Sequence, residues 1–406
     1  MPDNVSLKRA FTLPLLTLYG LGTILGAGIY VLLGKVAGSA GIYAPLAFLL
    51  AAVLAAFSAL SYAELSARFP LSAGEAVYTQ RAFGRAWLAR LVGLLIVCIG
   101  LVSTATLLNG FVGYLQVFLP LPGWLIISLV LGSLSGISMW GIRQSAWVAA
   151  FTTLIGVAGL LLVIGVGWSF AELRVVMHQA LQPGPELLTL SGVIGGAFIA
   201  FYAYIGFEDI VNVAEEVQEP SRNLPRAVIL ALVLSTLLYM LVALVAVSLL
   251  SPTRLAASDA PLALLYQEAT GQSPVVITLI SLVAVINGAL IQIIMASRVL
   301  YGMAMQGWLP VSLAAVHPTT RTPLRSMLLV SAAILILALS LPLLTLAGIT
   351  SMITLVVFSL VNLSLWRIKW RDPRPIGIMV IPRWLPMTGF IFSLAFALFQ
   401  LWQWLP

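Results

Sequence analysis

Two carboxylic acids, Glu208 and Asp209, stand side by side at the end of an apolar stretch that also holds Gly195, Gly196 and Gly206. A charge at the centre of a bilayer costs at least about 2.5–3.5 kcal/mol, so an acid kept there marks a functional site. Glu208 is the leading candidate. Asp209 points about 100° away from it on a helix, so the two are not expected to face one cavity. Neighbouring carboxyls in low dielectric resist ionising together, which suits proton exchange. A second cluster lies near the N-terminus, where "LYGLGTILGAGIYVLLG" places Gly20, Gly22, Gly26 and Gly28 in the middle of an apolar run. Covalent chemistry finds no such support. There is no HExxH, GxSxG or GxxxxGK[ST], so neither an enzyme nor an ATP-driven pump is expected. The single cysteine, Cys98, excludes an intrachain disulfide and any CxxC motif. His178 and His317 fall in predicted loops, so no metal site and no cofactor are expected.

The elements that hold these residues follow from composition. Of 406 residues, 61% are hydrophobic and only 8% charged. A soluble chain is about half apolar and about a quarter charged, so this surface must face lipid. A channel would need a continuous polar stripe or a selectivity-filter loop, and neither is visible. The net charge of +7 does not point to nucleic acid, because the basic residues lie between apolar runs. A membrane span takes about 20 mostly apolar residues. Eleven are read: Phe11–Leu33, Ala40–Leu65, Trp87–Leu119, Trp124–Ile142, Ala146–Trp168, Leu190–Val217, Ala227–Leu250, Pro274–Met303, Ser326–Leu341, Leu344–Trp366 and Leu385–Leu405. With the N-terminus in the cytoplasm, seventeen of the 20 Lys and Arg residues fall inside and three, Lys35, Arg174 and Arg254, outside. That asymmetry is the positive-inside rule, and it puts the C-terminus outside the cell (inner) membrane.

The two glycine-rich spans are the first and the sixth, five apart. Glycine weakens a helix interior by roughly 1 kcal/mol, and non-helical backbone at membrane depth must line a cavity or lie within protein. Interrupted spans at matching places of two halves point to a secondary transporter's binding site. The expected fold is an all-α polytopic membrane protein of two inverted five-helix repeats. Residues 1–170 hold spans 1–5, residues 187–370 hold spans 6–10, and residues 384–406 add span 11.

"GTILGAGIYVLLG", "SYAELSARFPLSAGEAVYTQRAFG", "FYAYIGFEDIVNVAEEVQEPSRNLPRAVI" and "ASRVLYGMAMQGWLP" together resemble the amino acid–polyamine–organocation transporter family, and within it the bacterial amino acid permeases. The resemblance runs from Phe11 to Trp366, and the span 6 stretch is its most specific part. It implies alternating access around a site midway through the membrane. The substrate's α-carboxylate would rest on the N–H groups of Ala27, Gly28 and Ile29, beside Gly26. Its α-amino group would meet freed carbonyls of Ile24, Tyr202 and Ile205, with Ala203 and Gly206 completing the span 6 break. The physics of a half-helix N-terminus, with partial positive charge and free donors, agrees. Tyr202, Tyr204 and Phe207 are lid candidates, and Tyr204, Phe207 and Glu208 form a gate or proton-coupling group.

Three departures from the family pattern bear on coupling. Many relatives carry a lysine midway along span 5, where this chain has Gly156. Within span 8 the stretch "VINGALIQIIMASR" has Ser297 as its only hydroxyl, which does not favour sodium. Glu75 stands where the family usually has a second glycine. Glu64 reads as a structural or gate ion pair near the interface, and Arg298 as a snorkelling or paired residue. Glu215, Glu216, Glu219, Arg222 and Arg226 read as a charged exit from span 6, with Pro220 and Pro225 as stop signals. Ser103, Thr104, Thr106, Asn109, Asn287, Gln292, Ser351 and Thr354 are the remaining polar groups within spans. No pair of acids in spans 3, 8 or 10 awaits a cation, so the expected substrate is a neutral amino acid, with polyamines or organic cations as the alternative. The orientation is testable: a reporter fused at Pro406 reports a non-cytoplasmic terminus, and a cytoplasmic signal would mean a miscounted span, first of all around Pro342.

Overall fold

The computed structural model describes residues 9–116, 118–170, 190–258 and 260–404. His178 and Arg174 lie outside the described residues. The described chain is helical: α1 (Leu13–Ala27), α2 (Ile29–Ala40), α3 (Ala44–Arg68), α4 (Gly74–Phe83), α5 (Ala86–Gln116), α6 (Gly123–Trp140), α7 (Ile142–Phe170), α8 (Leu190–Tyr202), α9 (Pro220–Leu249), α10 (Pro252–Ala257), α11 (Pro261–Thr270), α12 (Val275–Met305), α13 (Leu324–Ser340), α14 (Leu343–Arg371) and α15 (Trp384–Trp404). Among the described residues, eight helical stretches are long and apolar enough to cross a membrane, and three shorter apolar ones begin at Leu13, Leu324 and Trp384. The long helices overlap the apolar runs read from the sequence. The exposed side chains of these helices include Leu129, Phe151, Leu237, Leu279 and Ile336, a lipid-facing surface rather than a solvated one.

Span 1 is broken, as the glycines predict, but at one residue. Gly28 separates α1 from α2. Span 6 is broken more deeply. After α8 the chain turns through Ala203–Gly206, then continues as a 3₁₀ segment, Phe207–Glu216. Gly206 has φ +130°, a backbone conformation open to glycine and strained for residues with a Cβ. Span 7 starts earlier than expected, because Pro220 occupies the first turn of α9 and Pro225 lies inside it. Pro220 there gives up no needed donor, so it opens the helix instead of stopping the chain. α1 lies at the centre, packed against α7, α9 and α12.

Buried charges pin the helix ends together. Glu64 is fully buried, not at the interface. Its Oε1 accepts from Arg68 Nη2 at 2.6 Å and Lys369 Nζ at 2.8 Å, and its Oε2 accepts from Lys369 Nζ at 2.7 Å and the Ile381 N–H at 2.8 Å. That group ties α3 to α14 and to the segment before α15. Arg298 and Glu216 form a second pair at 3.2 Å, with both side chains wholly buried. The Glu216 carbonyl also accepts from the Ala10 and Phe11 N–H groups, so the entrance of span 1 is stitched to the exit of span 6. Glu216 is therefore not part of a solvated turn, whereas Glu219 and Arg222 beside it are exposed. Removing one partner of a buried pair strands a charge and costs about 3–5 kcal/mol. Arg298→Met therefore lowers the thermal midpoint of the detergent-purified protein strongly, and the double variant Arg298→Met/Glu216→Gln recovers part of the loss.

Candidate functional site

The two breaks meet. A Cβ on Gly28 would collide with the Cα and Cβ of Ala203, so only glycine lets the span 1 break touch the span 6 break this closely. A Cβ on Gly206 would lie 2.8 Å from Thr23 Cγ2, and one on Gly26 would lie 2.8 Å from Gly288 Cα. The glycine cluster of span 1 thus serves close approach to span 6 on one side and to α12 on the other. The freed carbonyls do not stand open. Tyr239, on α9, places its hydroxyl 2.6 Å from the Ile24 carbonyl and 3.0 Å from the Ala203 carbonyl. The Tyr202 carbonyl accepts from the Ile205 N–H at 3.2 Å within the turn. Backbone groups released from a helix inside a membrane need such partners, since no water is available.

Beside the breaks is a small cavity lined by Thr23, Ser103, Leu107, Tyr202, Ile205, Gly288 and Gln292. A water's centre can range over about 10 Å³ there, room for roughly one water. Spans 1, 3, 6 and 8 all contribute to it. Of the three lid candidates only Tyr202 reaches it. Tyr204 packs on Tyr239 with ring centroids 5.2 Å apart, and Phe207 packs between Tyr62 and Phe358 at 5.6 and 5.2 Å. Thr23, Ser103, Tyr202 and Gln292 are its polar lining residues. Asn109 bonds to the Ala105 and Ala338 carbonyls, and Thr104, Thr106 and Thr354 bond to their own helices.

The acids sit below the break. Glu208 turns back on the chain, its Oε2 accepting from the Gly206 N–H at 2.8 Å, while its Oε1 is buried without a hydrogen-bond partner. Asp209 Oδ2 accepts from Gln292 Nε2 at 2.7 Å. In this conformation Asp209, through Gln292, is the acid nearer the cavity, and Glu208 faces the backbone of the break. The 3₁₀ course of the segment, which sequence periodicity read as α-helix, turns the two carboxyls to different partners. The segment before α4 and the start of α4 dock on the same 3₁₀ segment. The Gly74 N–H donates to Asn212 Oδ1 at 3.2 Å, Asn212 Nδ2 to Glu75 Oε1 at 3.2 Å, and the Ser72 N–H to Glu215 at 3.1 Å. Glu75 lies outside the spans, and burial, opposed by the Asn212 hydrogen bond and reinforced by Glu208, pushes its carboxyl up to about 8. It therefore holds its proton at neutral pH.

At the junction of spans 1, 5 and 8 the side chain facing α1 is Thr153, not Gly156. Its hydroxyl lies 3.1 Å from the Leu18 carbonyl and accepts from Asn287 Nδ2 at 2.7 Å. Gly156 instead offers its carbonyl to Tyr30 at 2.7 Å. Tyr239 and Thr153 escaped the sequence reading. A lone tyrosine or threonine in an apolar span carries no motif, and only the fold brings it to a helix break. Tyr239→Phe leaves two buried carbonyl oxygens with no hydroxyl between them, each worth about 1–3 kcal/mol if unpaired. The variant is expected to melt earlier than wild type, and to lose more transport than Thr236→Ala on the same helix, as read by uptake into proteoliposomes.

The family model described as amino acid permease matches residues 11–406. The chain is 30% identical over 390 residues to the mitochondrial cationic amino acid transporter 3 of Arabidopsis thaliana, covering 90% of this chain and 63% of that one. It is 30% identical over 407 residues to an uncharacterized transporter of Mycobacterium bovis, covering 98% and 88%. It is 28% identical over 413 residues to the branched-chain amino acid permease BcaP of Bacillus subtilis, covering 93% and 86%. The chain thus spans less than two thirds of the plant transporter and most of the bacterial ones. With apolar spans, two helix breaks in contact and a match along nearly its whole length, this chain belongs to the amino acid permease family, within the amino acid–polyamine–organocation transporters.

Proposed function

We propose that this protein is a secondary transporter that carries neutral amino acids by alternating access, with its site at the junction of the two breaks. The observation that carries the reading is the contact of Gly28 with Ala203, bridged by Tyr239 across the Ile24 and Ala203 carbonyls. A zwitterion entering there meets the N–H groups of Ala27, Gly28 and Ile29, where α1 gives way to α2. Carbonyls of Ile24, Tyr202 and Ile205 face it once Tyr239 and the turn release them. The conformation described is closed: the cavity admits about one water, so substrate entry needs the breaks to part. Residues 1–170 and 187–370 then act as the two repeats that move against each other, with 384–406 attached to the second through α14 and α15. The neutral preference rests on the cavity lining, which carries no charged side chain. Fluxes of a panel of labelled amino acids in proteoliposomes test the reading, and a protein that moves none of them would overturn it. Polyamines belong in the panel, because Glu75, Glu208 and Asp209 are buried with no cationic partner in the described structure.

Glu208 links proton movement to transport in this reading. Its Oε2 holds the Gly206 N–H and its other oxygen is unpartnered, so gain or loss of a proton acts directly on the backbone of the span 6 break. Glu208→Gln is expected to flatten the pH dependence of uptake while counterflow exchange of substrate persists. An unchanged pH profile in the variant would make Glu208 a structural residue and the protein an uncoupled exchanger.

A further inference from the structure

Two side chains bring unsatisfied polar atoms to the cavity beside the breaks. Tyr202 Oη and Gln292 Oε1 are buried and have no hydrogen-bond partner. A polar atom in that position bears its desolvation penalty in full until a ligand pairs with it. Gln292 is 3% exposed, and its amide is oriented by what lies behind it. Nε2 donates to Asp209 Oδ2 at 2.7 Å. The NH₂ end thus faces Asp209, and the carbonyl end is turned away from it. Asp209 itself is 0% exposed, its Oδ1 has no partner, and the buried guanidinium of Arg298 is committed to Glu216. One neutral amide therefore stands between the cavity and a buried carboxyl that has no cation on it among the described residues.

We propose that Gln292 determines the substrate's side-chain class. It offers a neutral acceptor to small side chains that donate a hydrogen bond, such as those of serine, threonine and asparagine. At the same time it screens Asp209, whose carboxylate would otherwise receive an ammonium or guanidinium group. Tyr202 Oη, able to donate or accept, completes the pairing of a hydroxyl or amide. The inference rests on reading this cavity as part of the amino acid site. Truncating Gln292 removes the side chain beyond Cβ, enlarges the cavity toward span 6 and bares Asp209 at the same stroke. Bonds between charged groups are stronger than neutral ones by enough to shift selectivity about tenfold or more.

The test measures uptake of labelled serine into proteoliposomes and its competition by serine, asparagine, leucine, lysine and arginine. In wild type, serine and asparagine compete well, and lysine and arginine poorly. In Gln292→Ala, lysine and arginine gain about tenfold or more relative to serine. In Gln292→Ala/Asp209→Asn that gain disappears. If Gln292→Ala does not fold, as judged by size-exclusion chromatography, Gln292→Ser carries the same expectation. Thermal stabilisation of the purified variants by lysine against serine gives a readout that does not need transport. An unchanged lysine-to-serine ratio in the truncated variant, or a gain that survives loss of Asp209, overturns the inference while leaving amino acid transport intact. A wild type that takes lysine as readily as serine overturns it too. A wild type that takes no amino acid overturns both the inference and the reading of the site.

Discussion

Everything in the centre of this protein depends on seating one helix break against another in a medium that offers no water. A helix interrupted at membrane depth releases donors and acceptors that lipid cannot satisfy, so the break in span 6 needs a partner close by. Here that partner is the break in span 1. Gly28 allows the approach to Ala203, Tyr239 bridges the carbonyls on both sides, and Glu208 takes the Gly206 N–H. Each of these groups would be a liability alone. Together they pair the Ile24 and Ala203 carbonyls and the Gly206 N–H within the junction.

The buried charges divide into two kinds, and the division separates scaffold from machinery. Glu64 and Glu216 have cations on them: Lys369 and Arg68 in one case, Arg298 in the other. Such pairs are costly to break, and they lie where α3 meets α14 and where the span 1 entrance meets the span 6 exit. Glu75, Glu208 and Asp209 have only amides and backbone N–H groups as partners. An acid held by neutral donors tolerates either protonation state far better than one held by a cation. The paired acids are therefore held in one charge state by their cations, while the acids around the 3₁₀ segment of span 6 are held by neutral partners.

The amino-acid sequence made most of the fold legible and less of the site. Helix positions followed from apolar run lengths, and the breaks from Gly28 and Gly206, because glycine in lipid is informative by itself. The misreadings share one cause, which is that partners distant in sequence decide local roles. Pro220 and Pro225 read as stops, yet the first proline opens α9 because its missing N–H falls where no bond is needed. Gly156 drew attention as the place of an absent lysine, while Thr153, one turn earlier, faces span 1. Glu64 seemed able to reach the interface until Lys369 and the Ile381 N–H, some three hundred residues on, enclosed it. Tyr239 had no signal at all, because its significance lies wholly in the two carbonyls it meets.

Amides recur where charge would otherwise collect, and this explains how so acidic a junction stays closed. Asn212 stands between α4 and Glu75, Gln292 between the cavity and Asp209, and Asn287 on Thr153 beside α1. An amide presents a donor on one end and an acceptor on the other, so it can satisfy a carboxyl group on one side and leave a neutral face on the other. A lysine in the same place would neutralise the acid but would fix its ionisation and carry its own desolvation penalty. The chain resembles a family in which a span 5 lysine often occupies this region, and here the corresponding junction is built from a threonine and an asparagine. Among the described residues no cation stands on Glu75, Glu208 or Asp209, so neutral amides and backbone N–H groups are what hold the acids under the span 6 break in place.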